Sequence, residues 1–340
     1  MKVLLTGYQG YIGAVLGEAL REAKHRVAGL DTGFYAECWL YGAQEGGPAV
    51  LRKDIRRVGE EDLTGCDAVL HLGELSNDPL GQLDPTLTYE INHAGSLRLA
   101  QLCKKAGVPR FIYSSSCSVY GIGAGEFKDE QSPVSPQTAY AECKARVERD
   151  VAALADDAFS PTFLRNATAF GVAPHFRFDL VLNNLAGFAA TTGEIRMSSD
   201  GSPWRPLVHV KDIARAFLGV LEAPREAVHN QVFNVGDSAQ NYRVREIAEI
   251  VAGAFPGCRI HTGNGDKDSR SYRVSFDKIR KALPGFRCAM TAQAGAKELK
   301  DVFDRIGLSR ERFEHRDFTR IKQIRYLLET GRVDRHLFWN

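Results

Sequence analysis

Short runs of apolar residues recur along the first half of the chain, and stretches with apolar positions at helical spacing separate them. Runs of this length are typical of strands buried on both faces of a sheet. They occupy residues 2–6, 25–30, 67–73, 110–113, 162–165 and 232–236, with a shorter run before Asp54. Helical patterns occupy residues 11–20, 85–106 and the stretch that begins near 138. The alternation predicts an α/β fold with a Rossmann-type doubly wound parallel sheet.

After Gly171 the rhythm changes to loops rich in proline, arginine and asparagine. Helical patterns return at residues 243–255, 292–308 and 318–331. A chain of 340 residues is long for one hydrophobic core, which favours two parts. We predict a dinucleotide-binding Rossmann domain over 1–172, with a segment that returns near 207–236. Residues 173–206 and 237–340 are predicted to form a smaller substrate-binding lobe.

Composition narrows the class of protein. Apolar residues make up 44% of the chain, charged residues 25%, and the net charge is +2, which argues against nucleic-acid and membrane partners. No apolar run reaches the ~20 residues that span a bilayer. The seven cysteines include no Cys-x-x-Cys pair, which predicts reduced thiols and a cytoplasmic protein.

Three glycines stand between the first apolar run and the first helical pattern. They allow a tight turn and a close approach of the backbone to a pyrophosphate, to which the N–H groups at the helix start donate. Their G-x-x-G-x-x-G spacing follows a strand and precedes a helix, which is the context a dinucleotide site requires. The predicted contacts in this turn are Gly7, Gly10, Tyr11, Ile12 and Gly13.

Acidic residues follow the next two strands. Asp31 closes the second run, where a carboxylate bonds both hydroxyls of an adenosine ribose and repels a 2′-phosphate, so we predict NAD rather than NADP. Asp54 and Ile55 are predicted to lie near the adenine; a solvated turn is the alternative.

The fourth run ends at Leu72 and Gly73, which are predicted to contact the cofactor. The loop over 74–79 then passes the carboxyl end of the strand, where open α/β sheets bind ligands. Glu74 and Asn77 are therefore placed to meet a substrate, and Glu74 is a candidate for an extra acid. The alternative is a loop whose Asn-Asp-Pro sequence only turns the chain.

Tyr140 and Lys144 lie four residues apart in a helical pattern, so their side chains share one face. A phenol has a pKa near ~10, and an adjacent ammonium lowers that pKa towards neutral pH. Such a tyrosine exchanges a proton with a substrate hydroxyl, and a serine at the end of the preceding strand can hold the same oxygen. Ser116 is the candidate for that serine, and Ser114 is predicted to lie beside the cofactor.

These motifs together resemble the extended short-chain dehydrogenase/reductases, in particular the NAD-dependent nucleotide-sugar epimerases and dehydratases. The resemblance covers most of residues 1–280 and includes Asn92 and the run 205–212. It implies a tightly bound NAD, a nucleotide-diphosphate sugar as substrate, and a homodimer formed through helices near 85–105 and 139–157.

The resemblance also implies roles for individual residues. Ser116 matches the catalytic serine or threonine, Tyr140 the general base and Lys144 its partner. Asn92 matches a cofactor contact. Arg205 and Arg270 match arginines that grip the substrate diphosphate, for which guanidinium geometry is suited; a solvated loop charge is the alternative for Arg270. The other implied substrate contacts are Cys117, Ser118, Thr168 and Asn183, whereas His209 is predicted to be a packed or capping histidine.

The reaction predicted from the resemblance is epimerisation, with C4 as the expected carbon, through a transient 4-keto sugar, with Tyr140 as acid/base and the nicotinamide as hydride carrier. Dehydratases of the family carry an Asp-Glu pair where this chain has Cys117 and Ser118, which disfavours dehydration. An acid/base role for Cys117 in a 3,5-epimerase is also disfavoured, because nothing nearby lowers its pKa. The alternatives are a nucleotide-4-ketosugar reductase and an NAD-binding protein that has lost catalysis.

Overall fold

A computed structural model describes residues 1–41, 50–263 and 270–340, apart from the side chains of residues 124 and 125. The strands are β1 (Lys2–Thr6), β2 (Arg26–Asp31), β3 (Val50–Arg52), β4 (Ala68–His71), β5 (Arg110–Ser116), β6 (Ile122–Lys128), β7 (Ser160–Asn166), β8 (Thr168–Phe170), β9 (Glu194–Arg196), β10 (Trp204–His209), β11 (Gln231–Val235), β12 (Asn241–Arg243), β13 (Arg259–His261) and β14 (Ser271–Val274).

The α-helices lie between and after these strands. They are α1 (Tyr11–Glu22), α2 (Glu60–Leu63), α3 (Asp78–Gly81), α4 (Pro85–Thr88), α5 (Ser96–Lys105), α6 (Ala139–Ala152), α7 (Val181–Thr192), α8 (Val210–Glu222), α9 (Arg225–Val228), α10 (Val244–Ala254), α11 (Asp277–Ala282), α12 (Ala292–Ile306), α13 (Arg310–Glu314) and α14 (Arg320–Glu329). A π-helical segment, Tyr89–Gly95, joins α4 to α5. The helical stretch predicted over 85–106 is therefore confirmed as one continuous helix with a π-helical middle.

Seven strands form one parallel sheet in the order β11-β7-β5-β4-β1-β2-β3. The predicted fold class is thereby confirmed, and each predicted apolar run supplies one strand of this sheet. Strand β11 joins the sheet beside β7, although about 65 residues separate them in the chain. The smaller sheets, β12-β10-β8, β13-β9 and β14-β6, lie outside it.

Alternation along β1 shows how the sheet is covered. Val3 and Leu5 pack in one apolar cluster with α1 and α8, whereas Leu4 packs in a second cluster with α5 and α6. Successive strand residues point to opposite faces, so a continuous apolar run predicts a sheet with helices on both sides. A third cluster, built mainly from α7, α10 and α12, forms the core of the second half.

His209 ends β10, the central strand of the three-stranded sheet, and connects this sheet to α12. Its ring is fully buried, its Nδ1 accepts from the N–H of Lys211, and its Nε2 lies 2.8 Å from the Glu298 carboxylate. The prediction of a packed, capping histidine is confirmed. Burial opposes ionisation of Glu298, but hydrogen bonds from His209 and Lys211 outweigh it and lower the pKa of this carboxyl to about 2.

The Glu298 carboxyl gives the fold a measurable acid sensitivity. Because its pKa falls from an ordinary 4.5 to about 2, its contribution is complete above the unfolded pKa and is lost as pH falls through the folded one. We expect wild type to be more stable than Glu298→Gln at neutral pH, and this gap to shrink below about pH 4.5. Urea unfolding from about pH 7 to about pH 3 measures the gap. A gap that stays constant with pH would contradict the assignment, and exposed Glu311→Gln is the control.

The C-terminal segment, residues 320–340, lies against the beginning of the chain. The Trp339 indole Nε1 donates to the carbonyl of Thr32 at 2.7 Å, and the Arg52 guanidinium lies over the same indole. The Phe338 ring is contacted by the guanidiniums of Arg56 and Arg57, 4.0 and 3.9 Å from its centroid. The loops after β2 and β3 are therefore covered by the end of the chain.

Among the described residues, no helix is both long and apolar enough to cross a membrane.

Candidate active site

A cavity of about 600 Å³ opens at the carboxyl ends of the central strands. Its wall includes the ends of β2, β4, β5 and β7 and the start of α1 on one side. Residues from α7, β10 and the loop before β14 form the other side. The cavity thus lies between the central sheet and the second half of the chain.

The glycine turn at the start of α1 leaves no room for side chains. Gly7 has a φ of +72°, and a Cβ placed there would stand 2.8 Å from the carbonyl carbon of Leu72. A Cβ on Gly13 would stand 2.0 Å from the carbonyl oxygen of Gly7. Gly10 caps α1, and Gly10, Tyr11 and Ile12 all line the cavity, so the helix start faces it with its N–H groups. This cradle fits the pyrophosphate of a dinucleotide.

Asp31 ends β2 on the same wall, as predicted. Its carboxylate accepts the N–H groups of Gln9 and Gly33 at 2.9 and 2.8 Å, while burial raises its pKa. Asp54 and Ile55 also line the cavity. The Asp54 carboxylate caps a 3₁₀ turn and pairs with Arg56 at 2.8 Å. The segment is a turn that borders the cavity, but the Asp54 side chain is only 10% exposed, so the turn is not a solvated one. The contact with the adenine stays a prediction.

The three residues predicted for proton transfer come together. Ser116 ends β5, and its side chain lies close enough to the Tyr140 hydroxyl to lower the pKa of the phenol. Thr138 caps α6, so Tyr140 lies in the first turn of the helix and Lys144 one turn later. The Lys144 Nζ donates to the carbonyl of Ser114 at 2.5 Å and lies 5.5 Å from the Tyr140 ring centroid. Helical spacing alone brings the phenol and the ammonium together.

Glu74 was predicted to contact substrate, but the structure gives its carboxylate another partner. The Glu74 side chain is 1% exposed, and its Oε2 lies 2.7 Å from the Lys144 Nζ. Its Oε1 accepts hydrogen bonds from Tyr113 Oη at 2.7 Å and Ser96 Oγ at 2.8 Å. Although residue 74 borders the cavity, its carboxylate is occupied as the counter-ion of Lys144.

Burial and this counter-ion both change the pKa predicted for Tyr140. Burial raises the pKa of Tyr140, the Lys144 cation lowers it, and Asp78 and Glu74 raise it further. Lys144 therefore acts in the predicted direction, but burial outweighs it and the net pKa of Tyr140 is raised. Burial alone would lower the pKa of Lys144, but Glu74 raises it and keeps the amine charged. The sequence-based expectation was incomplete because it counted the cation but neither the burial of the phenol nor the carboxylate beside Lys144.

The structure therefore predicts that Glu74→Gln shifts the pH dependence of turnover. The amide oxygen still accepts from Tyr113 and Ser96, but the negative charge is gone, so Lys144 acts on Tyr140 without compensation. We expect the acid limb of the kcat profile to move to lower pH, measured by initial rates across the pH range. Glu90→Gln, an exposed change on the π-helical segment, is the control. An unchanged or upward-shifted limb would contradict this role for Glu74.

Three predicted contacts lie away from the cavity wall in the described structure. Asn92 is fully buried and clamps the loop after β4, because its amide bonds the N–H and the carbonyl of Leu75, each at 2.9 Å. The Cys117 thiol is buried, donates to the carbonyl of Arg165 at 3.1 Å, and has its pKa raised by burial. Asn92 and Cys117 miss the cavity for the same reason: both side chains are buried behind the backbone that lines it.

Asn183 is the third predicted contact that does not line the cavity, because its side chain points to a different side of the helix. Its amide accepts from the N–H of Gly171 and donates to Tyr11 Oη and to the carbonyl of Arg177. The next residue, Asn184, reaches the cavity instead. One residue turns a helix by about 100°, so a segment-level resemblance does not identify which asparagine faces the ligand.

The substrate end of the cavity carries the remaining predicted residues. Thr168, Ser118, Asn77, Arg205 and Arg270 all border it, as do Leu72, Gly73 and Ser114 nearer the sheet. Arg270 forms an ion pair with Asp78, and the Arg205 guanidinium donates to the carbonyl of Arg270. The Asn77 amide donates to Asp179 at 2.8 Å and caps α3. The two predicted diphosphate arginines therefore lie side by side.

Arg177, Asp179 and Arg320 also line the cavity and were missed from the sequence. The first two carry a faint signal, since they are an Arg-x-Asp pair inside the otherwise apolar run around 176–182. Arg320 carries none, because it lies more than 140 residues further along the chain in a helix with other basic residues.

Comparison with known proteins gives a consistent picture. A sequence model described as the NAD dependent epimerase/dehydratase family matches residues 3–236. A UDP-glucose 4-epimerase of Corynebacterium glutamicum is 28% identical over 283 residues, covering 78% of this chain and 81% of that protein. One from Mycolicibacterium smegmatis is 30% identical over 272 residues, covering 75% of this chain and 82% of that protein.

Solved structures resemble the chain over nearly its whole length. MoeE5 in complex with UDP-glucuronic acid and NAD superposes with a TM-score of 0.76 at 25% identity, covering 91% of this chain and all of that one. TunA, an NAD-dependent NDP-hexosamine 5,6-dehydratase, superposes with a TM-score of 0.79 at 23% identity, covering 89% and 98%. At 23% identity, the similarity to TunA shows a shared fold and not a shared reaction.

Proposed function

The chain belongs to the NAD dependent epimerase/dehydratase family, and from that membership we propose that it is a nucleotide-sugar 4-epimerase working through a transient 4-keto sugar. NAD is the cofactor of the family. The glycine cradle, with Gly7 and Gly13 too crowded for any Cβ, fits its pyrophosphate, and Asp31 fits its adenosine ribose. When bound, NAD supplies a hydride acceptor that also returns the hydride.

The observation that carries the proposal is the contact of Ser116 with Tyr140 beside Lys144 on the cavity wall. The Tyr140 oxygen takes the proton of the sugar hydroxyl and later gives it back. Ser116 holds the same hydroxyl in place. The Lys144 ammonium stabilises the phenolate that forms, and the Ser114 carbonyl and the Glu74 carboxylate fix the ammonium in position.

The residues after Ser116 disfavour water elimination. Cys117 is turned into the core and Ser118 is not acidic, so neither supplies the carboxylic acid that the dehydratase pattern places there. Arg205 and Arg270 supply paired guanidiniums at the far end of the cavity, which suit the diphosphate of a nucleotide sugar. The UDP-glucose 4-epimerase relatives favour a UDP-hexose as that sugar.

A nucleotide-4-ketosugar reductase is the second candidate. The same serine, tyrosine and lysine can catalyse the reverse step, in which a 4-keto sugar receives a hydride and a proton. The two reactions differ in cofactor balance. We test them with purified protein and UDP-, GDP-, CDP- and dTDP-hexoses, followed by NMR together with NADH absorbance. A changed stereocentre without net NADH consumption supports the epimerase. Stoichiometric loss of NADH with a 4-keto substrate would overturn it in favour of the reductase.

We further propose a homodimer through residues 85–105 and 139–157, on the strength of the family resemblance, which light scattering tests. The seven free thiols support a reducing, cytoplasmic location. With the predicted boundaries kept, residues 1–172 and the return near 207–236 are proposed to hold most of NAD, and residues 173–206 and 237–340 most of the sugar nucleotide.

A further inference from the structure

The first residue of α14 brings a buried guanidinium to the cavity. Arg320 is 1% exposed, and its Nη1 has no hydrogen-bond partner among residues 1–41, 50–263 and 270–340. Its Cζ lies 3.9 Å from the centroid of the Tyr35 ring, which holds the guanidinium plane but does not compensate its charge. Burial lowers the pKa of Arg320, and the nearby Arg177 lowers it further. A buried guanidinium with an unmade hydrogen bond destabilises a protein unless a ligand supplies the missing acceptor.

Arg320 and Arg177 share one carboxylate. Arg177 donates from Nε to Asp179 Oδ1 at 2.8 Å and from Nη2 to Oδ2 at 3.2 Å. The Asp179 Oδ2 also accepts the backbone N–H of Arg320 and the side-chain amide of Asn77. The Asp31 carboxylate is nearby, but its oxygens are bonded to backbone N–H groups. Two guanidiniums and two carboxylates thus share this part of the cavity wall, and the Arg320 Nη1 still lacks an acceptor within the described residues.

The two arginines are tied to the two ends of the cofactor site. The Asn183 amide bonds both the Arg177 carbonyl at 3.0 Å and Tyr11 Oη at 3.3 Å, which links Arg177 to the start of α1. Gln323, one turn after Arg320, donates to the carbonyl of Phe34 at 3.0 Å, which fixes α14 to the loop that follows Asp31. The guanidiniums thus lie between the pyrophosphate cradle and the ribose carboxylate.

We propose that Arg320 and Arg177 bind the diphosphate of NAD from the side opposite the glycine turn. Guanidiniums pair with phosphate oxygens through two parallel hydrogen bonds, and a partly desolvated phosphate strengthens such bonds. The diphosphate then lies between backbone N–H groups on one side and two cations on the other, and the unpartnered Nη1 gains an acceptor. This inference rests on the NAD dependence of the family and is independent of which sugar reaction follows.

Arg320→Met tests the proposal by binding rather than by turnover. It removes the charge and keeps an unbranched apolar stem. We expect binding of NAD and ADP-ribose to the cofactor-stripped protein to weaken roughly 10- to 100-fold, as for loss of a hydrogen bond to a charged group. Binding of adenosine, which lacks the diphosphate, and of UDP is expected to stay within about threefold. Isothermal titration calorimetry measures all four ligands, and exposed Arg325→Met in the same helix is the matched control.

Thermal unfolding separates ligand binding from a structural role. Removal of a buried guanidinium with an unmade hydrogen bond is expected to raise the Tm without ligand, while the Tm increase on adding NAD becomes smaller than in wild type. Arg320→Lys keeps a charge without the planar fork and should bind NAD with intermediate affinity. Unchanged NAD affinity, or equal losses for NAD and adenosine, would overturn the proposal. A loss confined to UDP would also overturn it, since it would place the arginines at the sugar nucleotide.

Discussion

Tyr140→Phe is expected to lower kcat by roughly 10²- to 10⁴-fold, the range that a positioned acid/base residue contributes. The substitution removes only the hydroxyl that Ser116 contacts, so the ring still packs beside the Lys144 ammonium. The hydroxyl proton of the substrate then has no acceptor within the Ser116–Tyr140–Lys144 group. Initial rates of sugar interconversion by NMR, at saturating substrate, measure the effect.

The control for this variant separates proton transfer from folding. Tyr89→Phe, at the start of the π-helical segment, removes a hydroxyl that bonds Glu142 on α6 rather than one in the cavity. It should keep nearly full turnover, and both proteins should bind NAD like wild type in calorimetric titrations. If Tyr140→Phe kept more than about a tenth of the wild-type kcat, the phenol would not be the acid/base of the reaction.

Glu148→Ala is expected to cost about 3–5 kcal/mol of unfolding free energy, because it leaves the buried Arg165 without its partner. The side chains of both residues are 7% exposed, and Arg165 Nη2 lies 2.6 Å from Glu148 Oε2. Ser115 also donates to the Glu148 carboxylate. Through these contacts one carboxylate joins α6 to β5 and β7, one turn beyond Lys144, so turnover should fall together with stability. Urea unfolding without added nucleotide measures the loss.

Two further variants test this account of Glu148. The exposed neighbour Arg149→Ala, on the same helix, should unfold like wild type. The double variant Glu148→Leu/Arg165→Met removes both charges and should regain much of the lost stability, since apolar pairs of similar volume replace buried ion pairs well. If the double variant were less stable than Glu148→Ala, the cost would lie in lost packing rather than in an unpaired cation.

The features that could be predicted from the sequence are those set by local spacing. Apolar runs identify strands because alternate residues of each run face opposite layers, as Val3 and Leu4 do. The pairing of Tyr140 with Lys144 needs only the helical repeat, and the cradle around Gly7 needs only the order of strand, turn and helix. Each of these depends on contacts within, or next to, one element.

The features that escaped prediction depend on contacts between distant parts of the chain. Glu74 is a partner of Lys144 because β4 and β5 lie side by side and bring α6 over both. Arg320 reaches the cavity because Gln323 and Trp339 fix the end of the chain to the loop after β2. Hydrophobic periodicity does not predict contacts between distant segments. For Asn183 and Asn184, a helical rotation of about 100° per residue determines which side chain faces the cavity.

The last helix also has a consequence for the order of biosynthesis. A ribosome makes the Rossmann strands first and Arg320 and Trp339 only near the end of the described chain. Until Arg320 has emerged, the cavity lacks that part of its wall, so on the proposed role of Arg320 we expect a nascent chain to form its sheet early but to bind NAD weakly. If Arg320 binds the cofactor as proposed, firm retention of NAD is expected only after the segment through Trp339 has been synthesised and has packed against the loop after β2.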